Sequence, residues 1–432
     1  MQLCRTILLV EVLSVLLVVA YGVAAPAPCG PGDVTVDAFV ACALADNPEL
    51  QGVRAEVDAA QGRIRQAELR PNPMLELGYQ DSVTGTDNNL TAMLTVPLDL
   101  NGRKAGRVGV AARTLEMKRA QILDRARRLR AEVQMKAGAL LAAQRNLQFT
   151  EELLQVNRNA LDLLHGRVGR GAAPPLEANL LRVEVNRLEA SRQMLASQVQ
   201  VALLQLKALA GLGPDAPVSL RGVLHTTPPP FDLQEGLRRA LATRSDVLMA
   251  QADVAMAEAM ILKEQAEGRW DASVNVGYMR QRFGYMLNGL TERGDLQPID
   301  AVFHYVGGGV TVMLPVRNRN QGNIAAAFAE VQAAAHRMAA IRLAIGQDVT
   351  AAFTQYEAAH RALEIYTQGV REVARQNLEV VRKTYELGRT SLLDLIAEQR
   401  RYIDIEMGYT VSLQQTYDAV VGIERAVGAG EH

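Results

Sequence analysis

Apolar residues spaced by seven positions run through long stretches of both halves of the chain. In the first half they are Val133, Leu140, Leu147, Leu154, Leu161 and Val168, followed after a break by Leu181, Leu188, Leu195 and Leu209. In the second half they are Tyr366, Val373, Val380 and Leu387, then Leu395, Tyr402 and Tyr409. With charged neighbours, this spacing is typical of helices that pack along a coiled-coil seam. It predicts a long helix and a returning helix in each half.

Proline positions indicate how long these helices are. Residues 103–168 contain no proline and predict one helix about 100 Å long at 1.5 Å per residue. A first helix over residues 36–70 restarts at Asn47-Pro48 and ends where Pro71-Asn72-Pro73 cannot continue it. Together with a returning helix over residues 176–210 it also reaches about 105 Å. Two stacked short helices therefore match one long helix, which predicts a helical cylinder long enough to span a periplasm.

Between the helices, each half contains two runs in which apolar and polar residues alternate. They cover residues 74–80 and 90–98 in the first half, and 273–278 and 309–314 in the second. Leu75, Leu77 and Tyr79, for example, share one face of the first run. Strands of seven to ten residues with one apolar face are near the length of tilted membrane strands. Four strands cannot close a barrel, so we expect three chains to supply twelve strands; the alternative is a soluble four-stranded sheet.

The two halves also resemble each other in sequence. Ala43-Leu44-Ala45 recurs as Ala240-Leu241-Ala242, and Gly171 recurs as Gly388. The chain is therefore predicted to contain two internal repeats, each made of a helix, two barrel strands and a long helical hairpin. The predicted domains are a signal peptide over residues 1–25, a first repeat over 26–212, a Pro-rich linker crossing the surface over 213–230, and a second repeat over 231–428.

The N-terminal residues predict export from the cytoplasm. Arg5 precedes an apolar run over residues 12–20 that is too short to span a bilayer, which favours a cleaved signal over an anchor helix. Cys29 and Cys42 would follow cleavage. They could form a disulfide, Cys29 could be acylated, or both could be free thiols. Pro28 disfavours acylation, because lipoprotein signals carry Gly or Ala before the cysteine.

Charge and composition narrow the function classes. Lys and Arg number 46 and Asp and Glu number 47, whereas a nucleic-acid partner would need a basic surface. The histidines are scattered without the spacing of metal ligands, so no metal site is expected. Gly307-Gly308-Gly309 lacks the lysine of a phosphate-binding loop and lies in a predicted strand. No group of catalytic residues is present, so we expect neither an enzyme nor a cofactor.

These features together resemble the TolC-type outer-membrane factor family, the exit ducts of tripartite efflux pumps and type I secretion systems. The residues that carry the resemblance are Ala43-Leu44-x-x-Asn47-Pro48-x-Leu50 and Tyr385-x-x-Gly388-x-Thr390-Ser391-x-x-Asp394-Leu395-Ile396. The resemblance implies a mainly α fold with a TolC-like α-helical barrel and a 12-stranded transmembrane β-barrel formed by a homotrimer. It also implies an outer-membrane location, contact with lipid and extension into the periplasm.

The resemblance further implies a pore gate at the helical turns. Tyr385 matches the gate tyrosine of the family, and Asp394 matches an aspartate whose three copies constrict the pore. Glu398 lies beside Ala397, the position of the second ring aspartate in the family. A ring of three carboxylates attracts cations and repels anions. The alternative for Asp394 is a carboxylate that stabilises the start of a helix.

The same turns are expected to contact a periplasmic adaptor protein. The residues predicted to form this contact are Gly169, Gly171, Gly388, Arg389 and Thr390. Thr390 stands where the family has its best-known arginine, so the gate of this chain is expected to be held differently.

Two further segments, Arg70-Pro71-Asn72-Pro73 and Val96-Pro97-Leu98-Asp99-Leu100-Asn101-Gly102-Arg103-Lys104, resemble the cobalt-zinc-cadmium type of outer-membrane component. They imply a channel that exports divalent heavy-metal cations with an adaptor and an inner-membrane RND-type pump. The alternatives are a multidrug efflux duct, a type I protein-secretion duct and, from another class, a periplasmic adaptor. An adaptor would carry one helical hairpin between β-rich halves, whereas two hairpins alternate with paired strands here.

Overall fold

The computed structural model describes residue 30 and residues 32–428, apart from Thr84, Thr86 and Pro229. The predicted signal peptide and Cys29 lie outside the described residues. The described chain is mostly helical, with one four-stranded antiparallel sheet and one pair of short parallel strands. This agrees with the mainly α fold predicted from the spacing of apolar residues.

Helices account for most of the described chain. They are α1 (Val36–Asp46), α2 (Pro48–Glu68), α3 (Arg103–Gly169), α4 (Pro175–Leu209), α5 (Leu233–Thr243), α6 (Ser245–Glu267), α7 (Gln321–Ile365), α8 (Arg371–Glu386) and α9 (Leu392–Val427). Helix α3 has 67 residues and is about 100 Å long at 1.5 Å per residue. Among the described residues, no helix combines the length and the apolar character needed to cross a membrane.

The first predicted helix is divided into α1 and α2 at the expected place. Thr35 begins α1, and its side-chain oxygen accepts a hydrogen bond from the Ala38 N–H at 3.3 Å. Pro48 begins α2 directly after Asn47. Asn47 is buried, and its Nδ2 donates to the Leu209 carbonyl oxygen at 2.9 Å. The break between the two helices therefore holds the end of α4.

The strands are β1 (Gly32–Val34), β2 (Met74–Asp81), β3 (Asn88–Pro97), β4 (Val218–Leu220), β5 (Asp271–Leu290) and β6 (Leu296–Met313). The order β2-β3-β5-β6 forms the antiparallel sheet. Strands β5 and β6 have 20 and 18 residues, so the predicted length of seven to ten residues is wrong for the second half. The pairing of β5 with β6 continues past a register shift between Gly284 and Asn288.

The segment predicted as a surface linker contains a strand. Strand β4 pairs in parallel with β1, from Gly32 opposite Val218 to Val34 opposite Leu220. Val218 and Leu220 are buried. The interpretation of residues 213–230 as a linker that only crosses the surface is therefore wrong for 218–220, because the pairing partner lies far away in the sequence.

The long helix of the second half, which corresponds to α3, is interrupted. A single π-helical turn, Tyr366–Val370, separates α7 from α8. Such turns insert one residue into a helix and occur often at functional positions. The seven-residue spacing from Tyr366 to Val373 passes through this turn, so the sequence pattern predicted no interruption.

The chain forms two compact units. The first comprises residues up to 48, 132–225 and 366–417, and the second comprises 49–131, 226–365 and 418 onwards. In the second unit, Val247, Ile345, Val349 and Ile423 belong to one buried cluster. Burying each such side chain contributes about 1.5–3 kcal/mol. The first unit has an apolar cluster beneath the helical turns, which is described below.

Candidate functional site

The turn between α3 and α4 contains two of the residues expected to contact an adaptor, Gly169 and Gly171. Gly169 ends α3 and is exposed. Two residues later, the Gly171 N–H donates to the Val168 carbonyl oxygen at 2.9 Å, and the Ala172 N–H donates to the Arg167 carbonyl oxygen at 2.8 Å. This pair of hydrogen bonds is a Schellman motif, which satisfies the last carbonyl groups of a helix. Gly171 has φ +70°, a conformation that costs a residue with a side chain more than it costs glycine.

The turn between α8 and α9 repeats this geometry. The Gly388 N–H donates to the Tyr385 carbonyl oxygen at 2.9 Å, and the Arg389 N–H donates to the Thr384 carbonyl oxygen at 2.9 Å. Gly388 has φ +70°, equal to the value at Gly171. Arg389 is exposed and Thr390 is half-buried. The two turns are therefore equivalent in backbone structure and differ in side chains.

A small apolar core holds the helices together beneath these turns. Its buried members are Leu164, Ala178, Leu181, Leu392 and Ile396, with Tyr385 and Leu395 packed against them. Other leucines of the same helix ends point outward. Their exposed fractions are 72% for Leu163, 66% for Leu176, 70% for Leu387 and 58% for Leu393. Exposed apolar side chains near one pair of turns are typical of surfaces that contact another chain, and contact with an adaptor stays a prediction.

Tyr385 contacts a residue that the sequence analysis did not identify. Its hydroxyl donates to Oε2 of Glu177, in the first turn of α4, at 3.4 Å. Burial of the ring raises the pKa of Tyr385, and the negative charge of Glu177 raises it further. The hydroxyl therefore keeps its proton and links the start of α4 to the end of α8.

Asp394 stabilises the start of α9. Its Oδ2 accepts hydrogen bonds from the Ser391 hydroxyl at 2.6 Å and from the Ser391 N–H at 3.2 Å. In return, the Ser391 hydroxyl oxygen accepts from the Asp394 N–H at 3.2 Å. These reciprocal bonds form a capping box, with Ser391 as the N-cap residue and Asp394 three positions later. Within one chain, Asp394 thus performs the helix-start role that the sequence analysis gave as its alternative.

Glu398 lies one helical turn beyond Asp394 but is buried rather than exposed. Its exposed fraction is 9%, and Oε2 accepts from Nη1 of Arg401 at 2.8 Å. Tyr385, Asp394 and Glu398 therefore have three separate partners in the chain. A pore gate built from copies of these residues stays a prediction.

Two carboxylates that the sequence pattern did not single out are buried between the helices of the first unit. Glu184 is 1% exposed and accepts hydrogen bonds from Arg187 and Arg400. Glu406 is 5% exposed and accepts from Nε of Arg371 at 2.5 Å. The seven-residue spacing could have revealed Glu184, which lies three positions after Leu181 and four before Leu188. A carboxylate on that apolar face requires a buried partner.

Cys42 and the grouping of potential metal ligands bear on the predictions for disulfides and metals. Cys42 is fully buried in α1, and its side chain is disulfide-bonded. Because Cys29 lies outside the described residues, its predicted pairing with Cys42 stays a prediction. Within the described part of the chain, no three His, Cys, Asp or Glu side chains are grouped so that they could hold a metal ion.

The fold combines an antiparallel sheet that has one apolar face with helices of coiled-coil spacing that turn in paired hairpins. The chain belongs to the outer membrane efflux protein family, whose sequence pattern matches residues 40–212 and 236–429. It is therefore an efflux channel of the outer membrane that extends into the periplasm, and not an enzyme. This membership confirms the predicted resemblance and rules out the periplasmic adaptor alternative.

Individual relatives agree with this assignment. The chain is 25% identical over 397 residues to the cobalt-zinc-cadmium resistance protein CzcC of Cupriavidus metallidurans, covering 92% of this chain and 90% of CzcC. The structure of CusC has a TM-score of 0.72 at 15% identity, covering 94% of this chain and 98% of that chain. The outer membrane protein VceC of Vibrio cholerae has a TM-score of 0.71 at 18% identity, covering 92% and 97%. The two structural similarities confirm the fold.

Proposed function

We propose that three copies of this chain form the outer-membrane duct of a tripartite efflux system that exports divalent heavy-metal cations. The observation that supports heavy-metal cations as the exported substrate is the similarity to CzcC, which extends over 92% of the chain. That relative is named for resistance to cobalt, zinc and cadmium. An adaptor protein and an inner-membrane pump of the RND type are the partners of this proposal.

The segment that resembles the cobalt-zinc-cadmium type has a structural role in this chain. Asp99 and Asn101 have φ values of +52° and +60°, and they form the turn between β3 and α3. Nη2 of Arg107 lies 2.7 Å from Oδ2 of Asp99. This hydrogen bond lowers the pKa of Asp99 and outweighs the effect of burial, which raises it. Asn101 donates to the Trp270 carbonyl oxygen at 2.5 Å. These side chains are engaged in holding the turn, so they are not available as ligands for an exported ion.

The polar face of the sheet supports the same interpretation. Glu76, Gly78 and Gln80 alternate with the apolar residues of β2, and Asn275 donates to Thr311 at 2.7 Å between β5 and β6. A passage that releases its ion should avoid tight binding sites, because strong binding slows exit. Selection of the metal is therefore assigned to the inner-membrane pump, with this chain as a cation-tolerant duct.

Deletion of the gene tests the cargo. The deletion strain should tolerate less zinc, cobalt or cadmium than its parent, while its tolerance of bulky drugs and detergents stays unchanged. Re-expression of the chain should restore metal tolerance. Sensitivity to drugs alone would contradict the metal proposal and favour a multidrug duct, and loss of one secreted protein would favour a type I secretion duct.

We further propose that the two helical turns bind the adaptor through their exposed leucines. Leu163 and Leu387 are 72% and 70% exposed, so replacing either should not disturb the core beneath. Leu163→Gln and Leu387→Gln together should lower metal tolerance and the amount of adaptor recovered with the channel. Leu343→Gln on α7, 72% exposed in the other compact unit, is the matched control. Normal tolerance and adaptor recovery in the double variant would exclude this surface.

A further inference from the structure

One face of the four-stranded sheet is apolar over most of its height. The register places the following residues on it: Leu75, Leu77, Tyr79, Leu90, Ala92, Leu94, Val96, Val274, Val276, Tyr278, Val306, Val310 and Val312. In an outer-membrane barrel the apolar face contacts lipid, and aromatic residues mark its edge. Because α2 and α6 lead into the other end of the sheet, the end with the strand-to-strand turns is the outer edge of this band.

At that outer edge basic residues enter the face on β5 and β6, in the same row as Tyr79 and Leu90. Arg280 lies opposite Leu90 on one side and opposite His304 on the other. Tyr278 occupies the row directly below, on the apolar side. Directly opposed residues of neighbouring strands have Cβ atoms about 5 Å apart, so the side chains of Arg280 and His304 can reach one common ligand.

Arg280 has no acidic partner in the part of the chain that the structure describes. Its Nη1 donates to Oδ1 of Asn88 at 3.4 Å, which is a long contact to a neutral group. Arg282, two residues further along the same face, differs because its Nε is 2.5 Å from Oδ2 of Asp300. A guanidinium at the edge of a lipid-facing band thus retains donors for an anion, while its neighbour is already neutralised.

His304 is oriented toward the same place by Tyr278. The Tyr278 hydroxyl oxygen is 2.8 Å from Nδ1 of His304, and the two rings are stacked with centroids 6.0 Å apart. When the tyrosine hydroxyl donates to Nδ1, the imidazole proton resides on Nε2. The ring therefore has one nitrogen held by the protein and one N–H donor available to a ligand.

We propose that Arg280 and His304 bind the phosphate of an anionic lipid headgroup in the outer leaflet. Phosphate oxygens accept the forked donors of arginine and an imidazole N–H together, and the apolar rows below contact the acyl chains of the same lipid. A lipid is the occupant because the basic pair directly borders the apolar band. The inference rests on the outer-membrane location and is independent of the cargo and of the pump.

The test uses the full-length purified channel and two lipids with identical acyl chains, phosphatidic acid and phosphatidylcholine. Native mass spectrometry should show that the wild type retains phosphatidic acid in preference to phosphatidylcholine. Arg280→Gln with His304→Gln should lower this preference about tenfold, the equivalent of one charge-assisted hydrogen bond. Arg282→Gln, the matched control, should keep it.

Two single variants and one displacement experiment keep the outcome clear if the double variant does not assemble. Arg280→Lys should retain part of the preference, because it keeps the charge and loses the forked donors. Tyr278→Phe should lower the preference by releasing the imidazole of His304. Inorganic phosphate should not displace the lipid. The proposal is overturned if Arg280→Gln and Tyr278→Phe both keep the wild-type preference, or if inorganic phosphate removes the bound lipid, which would indicate a site for a free anion.

Discussion

Glu184 is a carboxylate enclosed by helices of the first unit. It accepts hydrogen bonds from Nη2 of Arg187 at 2.6 Å and from Nη2 of Arg400 at 2.7 Å, which ties α4 to α9. Burial is the largest single influence and raises the pKa of Glu184, but the hydrogen bonds and charges of the two arginines together outweigh it. The pKa therefore lies below its ordinary value of 4.5.

The variant Glu184→Gln should lower the free energy of unfolding by about 1–3 kcal/mol at neutral pH, because two guanidinium groups lose a buried anionic acceptor. A carboxylate with a depressed pKa contributes its full stabilisation above the ordinary value and loses it as the pH falls through the folded-state pKa. The difference between wild type and variant should thus shrink as the pH falls below 4.5. Thermal unfolding of the detergent-solubilised protein across this pH range measures both effects.

Glu189→Gln provides the comparison. Glu189 lies on the same helix, is 37% exposed and pairs with Arg158 and Arg192. Exposed ion pairs contribute about 0–1 kcal/mol, so this variant should unfold almost as the wild type does. Equal unfolding midpoints for the two variants at neutral pH would contradict the role assigned to Glu184.

At the scale of elements, regular spacing predicted the long helices and the existence of the four strands, because each has a side-chain period that burial enforces. Strand β4 has three residues, too few to show a period, and its partner β1 is distant in the sequence. The π-helical turn Tyr366–Val370 does not interrupt the spacing of apolar residues. The full lengths of β5 and β6 were missed because the alternation of residue types ends at Arg280 and His304, which occupy the otherwise apolar face.

Some features of the candidate site could be predicted from the sequence, and one side-chain contact could not. The positions of Gly171 and Gly388 in tight turns followed from the residue type, because positive φ favours glycine. The contact between Tyr385 and Glu177 could not be predicted, because it joins residues 208 positions apart whose side chains meet only once the two hairpins pack. The capping box at Ser391 and Asp394 was open to prediction from its spacing.

A glycine with a positive φ follows both α4 and α8. Comparing the two separates the stability lost through a backbone contact from the stability lost through a positive φ. Gly211 and Gly388 have φ of +71° and +70°. A Cβ on Gly211 would lie 2.5 Å from the Asp46 carbonyl oxygen, whereas a Cβ on Gly388 would meet open space. Gly388→Ala should cost about 1–2 kcal/mol of stability through φ alone. Gly211→Ala should cost about 1–3 kcal/mol more, because the backbone of α1 must shift.

Denaturant unfolding of the two glycine variants tests this difference. Matching losses of stability would show that the end of α1 moves freely away from Gly211. The double variant should lose the sum of the two costs, because the sites share no partner.

At the scale of the whole molecule, the sheet has two unpaired edges, β2 and β6. Unpaired backbone N–H and C=O groups cannot be satisfied by lipid, so each edge must pair with the edge of a neighbouring copy. We predict a homotrimer with twelve barrel strands. Mass measurement of the detergent-solubilised channel should give three times the chain mass, and a stable, folded monomer would contradict this prediction.

A trimer would bring three copies of α9 together. Asp394 would then have a second role, as one member of a ring of three carboxylates. The capping box explains the residue within one chain, through its bonds with Ser391. The carboxylate remains exposed, however, so three copies can also face a common bore. The two roles differ in what they require, because a cap needs an acceptor oxygen and a cation-selective ring needs negative charge.

Asp394→Asn keeps an acceptor oxygen of the same shape and removes the charge, whereas Ser391→Ala removes the capping partner and keeps the charge. In planar bilayers, Asp394→Asn should weaken the preference for cations and the block by divalent ions, because it removes three carboxylates from the bore together. Ser391→Ala should keep wild-type selectivity while costing about 1 kcal/mol of stability through the lost cap. Wild-type selectivity and block in Asp394→Asn would leave Asp394 with its capping role alone, and the gate would then have to be sought at Tyr385 and Glu177.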